Sequence, residues 1–352
     1  MLKINLFGYT RRELEDLLVS FGEKPYRGRQ LFKWLYNTRQ YEFDLMTDFS
    51  KKLREQLTEG YKFEGLHLAH EARSADETEK YVFRLEDGLL IESVLIPNDE
   101  KERSTVCISS QAGCAMDCRF CATGRDGFKR NLTVGEILGQ LIYIRELYGT
   151  AAFSNIVFMG MGEPLKNYDN VVNAVRIITD SLGMGLGAKK ITISTVGVIP
   201  HIIKLADSGL KTRLALSLSA ATQEKRLKIM PIAKTYPLDK LVEAVRYYTE
   251  KTKTRITFEY VLFEGFNDTK EDILALAELI KGIPCKINIF AYNPVDGLDF
   301  KRPGEEKVDW FARQLYPRAP AVTVRKSRGR DIEAACGQLA GRLHQTGGFH
   351  VV

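Results

Sequence analysis

The first hundred residues contain no cysteine, so no disulfide framework staples the amino-terminal part of the chain. Long apolar runs are missing as well: none approaches the roughly 18 residues of a membrane span. The opening MLKINLFGYTRRELED reaches Arg11 and Arg12 with neither an apolar signal core nor a small-residue cleavage site, and it does not read as a secretory leader. The expectation is a cytoplasmic protein that uses no membrane. There is no low-complexity stretch, no linker run and no helical-repeat period. With 44% hydrophobic and 27% charged residues, disorder and collagen-like structure are excluded. What remains is a 352-residue globular chain, long enough for two or three packed units and a core that needs no staples.

Lys and Arg number 51 against 45 Asp and Glu, a net +6. So mild an excess fits an ordinary solvated surface and also an anionic partner such as RNA.

The first sixty residues read as helical, with apolar residues at helical spacing over Arg12 to Phe21 and Gly28 to Asn37. Five basic residues between Lys24 and Arg39 interleave with Tyr26, Phe32, Trp34 and Tyr36. That pattern fits an RNA platform, or equally a core stripe of Phe32, Leu35 and Tyr36 with a wet basic face. EKYVFRL and LLIESVLIP, joined at Asp87-Gly88, read as a hairpin. After it, apolar runs at 104–110, 155–160, 190–195, 213–219, 256–263 and 286–292 alternate with helical stretches at 133–149, 168–181, 199–208, 238–251 and 269–281. Such alternation means parallel βα units. Without a G-x-G-x-x-G after the first strand, six units favour a partial (β/α)6 TIM-like barrel over a dinucleotide-binding sheet. AVTVRKS (321–327) reads as one more strand and DIEAACGQLAGRL (331–343) as a closing helix. The expected division is a helical unit over 1–70, the hairpin over 71–99, the barrel over 100–331 and a carboxy-terminal helix and tail over 332–352.

Six cysteines stand at 107, 114, 118, 121, 285 and 336. Cys114-Ala-Met-Asp-Cys118-Arg-Phe-Cys121 follows the first barrel strand, at the end where barrel active sites are built. Three thiolates on a tight loop hold three irons of a [4Fe–4S] cluster and leave the fourth open. The competing reading is structural zinc, which takes a fourth Cys or His nearby. No second knuckle follows, the nearest histidine is His70, and no histidine has metal spacing; His344 and His350 stand in the tail. Cys336, in Ala334-Ala335-Cys336-Gly337, fits a tight helix contact as well as a reactive thiol. Cys107 fits an inward strand position between Val106 and Ile108 just as well. Cys285 has no motif around it and reads as core. Glu92 stands alone on an apolar strand, where a salt bridge to an Arg is the plain account. Arg325, Lys326, Arg328 and Arg330 form a basic run that suits either a solvated face or phosphate steering.

The triplet, with Met159-Gly160-Met161-Gly162-Glu163-Pro164 one strand later, resembles the radical S-adenosylmethionine (SAM) superfamily. The segments SSQAGCAMDCRFCATG, FMGMGEPL, ISTVG, LSLSA, MPI and DIEAACGQL resemble, over essentially the whole chain, the RNA methyltransferases that act on adenine carbon 2 (RlmN-type). The last segment also occurs in their carbon-8 relatives (Cfr-type), while Pro164 and the helical start YRGRQLFKWLY lean toward carbon 2. The chain departs from the pattern at Ser219, where the family usually has His, and at Ala233, where Asn is common.

The resemblance implies a radical SAM partial barrel with [4Fe–4S] and S-adenosylmethionine as cofactors. Cys114, Cys118 and Cys121 would hold the cluster. Gly162, Glu163, Ser194, Ser217, Ser219 and Asn293 would bind the cofactor's ammonium, carboxylate, ribose and adenine. It further implies that Cys336 carries a methyl group as S-methylcysteine and that Glu92 accepts a proton. Cys107 resolves the protein–RNA adduct and ends as a transient disulfide with Cys336. The implied substrates are 23S rRNA at the adenosine of position 2503 and tRNA at position 37. A flavodoxin-type electron donor would serve, and a monomer is expected.

Overall fold

The computed structural model describes residues 3–98 and 104–341. Ten strands form one sheet in the order Val322–Val324, Cys285–Ala291, Ile256–Leu262, Arg213–Ser217, Ile191–Thr195, Asn155–Phe158, Thr105–Cys107, Leu90–Ile96, Glu79–Arg84 and His67–Arg73. The seven from Thr105 onward are parallel neighbours in chain order, as expected of βα units. Ile193, Leu214, Leu216, Phe258, Tyr260, Ile287 and Ile289, which register with one another on one face, are all sealed from water, and Ala215, Val261 and Phe290 on the other face are buried as well. This is the expected α/β partial barrel, and it stays open among the described residues.

The helices 134–148, 168–179, 199–207, 238–252 and 270–279 lie where the apolar spacing puts them. Thr133 with Glu136 and Thr269 with Asp272 form capping boxes that start two of them. Among the described residues no helix is long and apolar enough to cross a membrane. The hairpin Glu79–Arg84/Leu90–Ile96 belongs to a three-stranded meander whose third strand, His67–Arg73, crosses the expected boundary at residue 70. Its edge position leaves that strand half exposed, and with the apolar alternation diluted it carried no strand signal.

At the amino terminus Thr10 and Glu13 cap the helix Arg11–Ser20. It crosses the helix Pro25–Lys33 so closely that a Cβ on Gly28 would lie 2.3 Å from the Glu15 Cα. A further helix, Lys51–Gly60, and a short parallel ribbon of Ile4–Asn5 with Tyr61–Lys62 complete this unit. Phe32, Leu35 and Tyr36 are its core. Trp34 donates to Asp48, and Arg29 pairs with Glu15. Lys24, Tyr26 and Lys33 stay on the surface, so only part of the basic-aromatic segment faces outward.

The expected helix over 331–343 does not form in its described part. Residues 329–341 run as turns and loop, with Gly329, Glu333, Gly337 and Gly341 at φ of 65°, 52°, 88° and 63°. Left-handed residues at four-residue intervals prevent any run of helical hydrogen bonds. Residues 342–352, with His344 and His350, lie outside the described residues.

Candidate active site

The triplet loop is closed at its base by a small antiparallel ribbon, Gln111–Gly113 with Phe128–Asn131, and by the Cys114 N–H on the Gly127 carbonyl at 3.1 Å. Asp117 takes φ 50° inside the loop, a conformation Asp tolerates better than most residues. A short helix, Ala122–Arg125, follows Cys121. Its Gly124 lies under Cys118, where a Cβ would sit 3.1 Å from the Cys118 nitrogen.

These elements wall a cavity of about 150 Å³ at the carboxy-terminal ends of the strands. Cys114, Cys118, Cys121, Gly162, Glu163, Ser194, Ser217, Ser219, Asn293 and Cys336 all line it. The predicted cluster, cofactor and methyl-carrier residues thus meet in one place. Phe120 closes the cluster side against Phe263, ring centroids 5.3 Å apart. Burial pushes the Cys114 thiol up to about 12 and raises Cys118 and Cys121 as well. Such thiols ionise only when a metal centre takes up the thiolate charge. Among the described residues no three His, Cys, Asp or Glu side chains, the triplet included, are drawn together as metal ligands; the three triplet sulfurs share one loop and one cavity wall.

The donor set also fits S-adenosylmethionine. A Cβ on Gly160 would strike Ile108 and Ser109 backbone at 2.7–2.8 Å, and one on Gly162 (φ 99°) would strike Gln111 Cβ at 2.5 Å. The second strand end therefore lies directly on the loop that leads to the triplet. Glu163 is buried; its Oε1 accepts from Leu165 N–H at 3.0 Å and its Oε2 from Val196 N–H at 2.8 Å. Burial raises its carboxyl to about 7 despite those bonds. Ser219 takes φ 53°, is fully buried, and its Oγ has no partner within the protein. An unpaired hydroxyl on a cavity wall is a waiting ligand contact.

Cys336 is an exposed residue of the cavity wall, with its thiol on the buried side. Its loop is tied down by Asn293 Nδ2 on its own carbonyl (3.1 Å), Ala122 N–H on the Gly337 carbonyl (2.8 Å) and Thr123 Oγ1 on the Leu339 carbonyl (2.5 Å). Farther along, Glu92 Oε1 accepts from the Ala340 and Gly341 N–H groups at 3.2 and 2.6 Å. The ion pair expected for Glu92 is with Lys80, at 3.7 Å, and not with an arginine. Glu92 Oε2 is buried without a hydrogen bond. Cys107 pairs across the sheet with Val94, so Glu92, two residues earlier on that strand, shares its face.

Arg325 departs from the phosphate-steering reading. It lines the cavity, pairs with Glu259 at 3.6 Å, and acts electrostatically on both Cys107 and Cys336. Burial pushes Cys107 up to about 12 and raises Cys336, and in each case the Arg325 charge pulls the other way. Glu259 had a readable signal, a lone acid in the apolar ITFEYVLF, and was missed. All six cysteines are free thiols, Cys285 buried in its strand.

Residues 108–280 match the radical SAM superfamily and residues 4–62 the ribosomal RNA large subunit methyltransferase N-terminal domain. A radical SAM methyltransferase from Sphaerobacter thermophilus, known by crystal structure, superposes with a TM-score of 0.90 at 40% identity, covering 96% of this chain and 100% of that one. Two curated relatives are described as "Probable dual-specificity RNA methyltransferase RlmN". The one from Flavobacterium psychrophilum is 44% identical over 97% of this chain and 98% of its own. The one from Salinibacter ruber is 44% identical over 96% and 94%. Fold and site together define a radical SAM enzyme, with a [4Fe–4S] cluster and S-adenosylmethionine as its cofactors. The chain belongs to the RlmN family of RNA methyltransferases.

Proposed function

We propose that this enzyme methylates carbon 2 of adenosine in 23S rRNA and tRNA, through a methyl group carried on Cys336. The observation that carries the reading is the place of Cys336: in the wall of the cavity that holds the triplet, tied to the helix that follows Cys121. Carbon 2 of adenine is electrophilic, so simple transfer of a methyl cation is closed and a one-electron route is needed. When bound, the reduced cluster and S-adenosylmethionine supply the radical that abstracts hydrogen.

The chain's own residues do the rest. Cys114, Cys118 and Cys121 hold three irons, and Gly162, Glu163, Ser194, Ser217 and Ser219 seat the cofactor. Arg325 favours the Cys336 thiolate, whose Sγ takes a methyl group before the radical step. The methylene left on that sulfur bonds to carbon 2, joining protein to RNA. Glu92 Oε2 takes the carbon-2 proton, and the one unpaired electron of the adduct would return to the oxidised cluster. Cys107 thiolate then attacks the Cys336 sulfur; the carbon–sulfur electron pair leaves with the base and takes up a proton to complete the methyl group, and a disulfide remains that must be reduced. A flavodoxin-type protein delivers electrons to the monomer.

The test is the nucleoside profile of rRNA and tRNA from cells with and without the protein. Loss of 2-methyladenosine from both is expected. Loss of 8-methyladenosine instead would assign the carbon-8 reaction, and an unchanged profile would remove the reading.

A further inference from the structure

Arg226, on the helix Gln223–Ile229, is completely buried and has no acidic partner. Its guanidinium donates to the carbonyls of Ser217 at 3.1 Å, Leu218, and Val196 at 2.5 Å, and to Met230 Sδ at 3.3 Å. These acceptors are all neutral, and among the described residues no carboxylate lies within ion-pair distance. A cation sealed from water without a counter-charge is costly, and carbonyl dipoles offset only part of the cost. Accordingly burial draws the guanidinium down to about 10.

The missing negative charge lies next door. The Arg119 N–H donates to the Ile229 carbonyl at 3.0 Å, which docks the triplet loop on the end of this helix. Cys118 is buried in one apolar cluster with Met116, Ile229 and Met230. The charge of Arg226 acts on the Cys118 sulfur and that of Cys118 on Arg226. With three thiolates a [4Fe–4S] cluster is anionic in both oxidation states and gains one more negative charge on reduction. A fixed cation at close range in a dry site favours the reduced form, and net charge around a cluster is a main determinant of its potential.

We propose that Arg226 is the built-in counter-cation of the cluster, held beside Cys118 by its collar of carbonyls, and that it raises the cluster's reduction potential. The proposal rests on the triplet as cluster site and is independent of which RNA carbon is methylated.

The test is a redox titration of the cluster followed by electron paramagnetic resonance, on the full-length protein without S-adenosylmethionine or RNA. In Arg226→Gln, with iron and sulfide content intact, the ratio of reduced to oxidised cluster at fixed poise should fall about tenfold, about 59 mV for a one-electron couple. An unchanged ratio at full iron content would overturn the proposal. Arg226→Lys is decisive even if the Gln variant fails to fold. A buried lysine loses its proton far more readily than arginine, so between pH 6 and 8 its potential should step downward where the wild type shows no such step. A lysine variant that parallels the wild type over that range would also overturn the proposal. A Cys118→Ala protein that keeps four irons would instead remove the cluster assignment beneath it.

Discussion

The side-chain amide of Asn293 donates a 3.1 Å hydrogen bond to the carbonyl of Cys336, while its Oδ1 accepts from Arg302 at 3.0 Å. Arg302 in turn donates to the carbonyls of Ala291 and Tyr292. The end of the strand Cys285–Ala291 is thereby coupled through two side chains to the backbone of Cys336. Both polar atoms of Asn293 serve this relay.

Asn293→Ala should therefore act on the carrier before it acts on the cofactor. It removes one hydrogen bond, about 1 kcal/mol, from the loop. The rate of Cys336 methylation, followed by peptide mass spectrometry, should fall about tenfold. Cofactor cleavage without RNA should stay near wild type; a parallel fall in both would make Asn293 a cofactor ligand instead.

Cys114→Ala, Cys118→Ala and Cys121→Ala should each abolish the brown chromophore and all reductive cleavage of S-adenosylmethionine. Two thiolates do not hold a cluster with a single open iron. Iron analysis and assay of 5′-deoxyadenosine check this, and retention of four irons in any of the three variants is the contrary result.

Under the proposed mechanism, Cys107 and Cys336 separate by the order of their tasks. Cys336→Ala should yield neither methylated protein nor an RNA adduct. Cys107→Ala should methylate Cys336, join the base and stall, and so purify with nucleotide mass on the Cys336 peptide. Plain packing residues would instead cost about 1–2 kcal/mol each and lower activity in parallel, with no trapped species.

Glu163 predicts a pH dependence of the cluster-free protein. Its folded carboxyl sits near 7 and its ordinary value is 4.5, so the folded state binds more protons between those values. Stability contributed by the protonated form is complete below about 4.5 and is lost as pH rises through 7, a total of about 3 kcal/mol. Thermal melts of wild type against Glu163→Gln should show the wild type losing ground from pH 5 to 8. A constant difference would mean that the carboxyl is not raised.

The parallel strands were legible because their apolar runs are buried on both faces, and the triplet because three thiols crowd into eight residues. The carboxy-terminal segment was misread. Ala334, Ala335 and Leu339 fall at helical spacing and are buried, but the bonds that set their backbone come from Glu92, Thr123 and Asn293, as far as 249 residues away. Asp331 likewise accepts from Ser74 and Ala75. No local pattern encodes such anchors. Arg325 looked like one cation in a basic run. Register made the difference: Ile289 pairs with Val324, and the Arg325 N–H caps the Ile289 carbonyl, which keeps this first member of the run at the cavity. Arg226 had no signal at all, since nothing in QEKRLKI marks a residue sealed from water.

The segment that bears Cys336 belongs to no helix and to no strand ladder. It is held by separate bonds at Ala122, Thr123, Asn293 and Glu92, so no helix or ladder would have to melt for it to leave. In the proposed mechanism a base joined to Cys336 would move with that tether rather than with the barrel. Because one mooring sits on the helix after Cys121 and another on the amino-terminal part of the sheet, the absence of the tether is felt at both ends of the site at once.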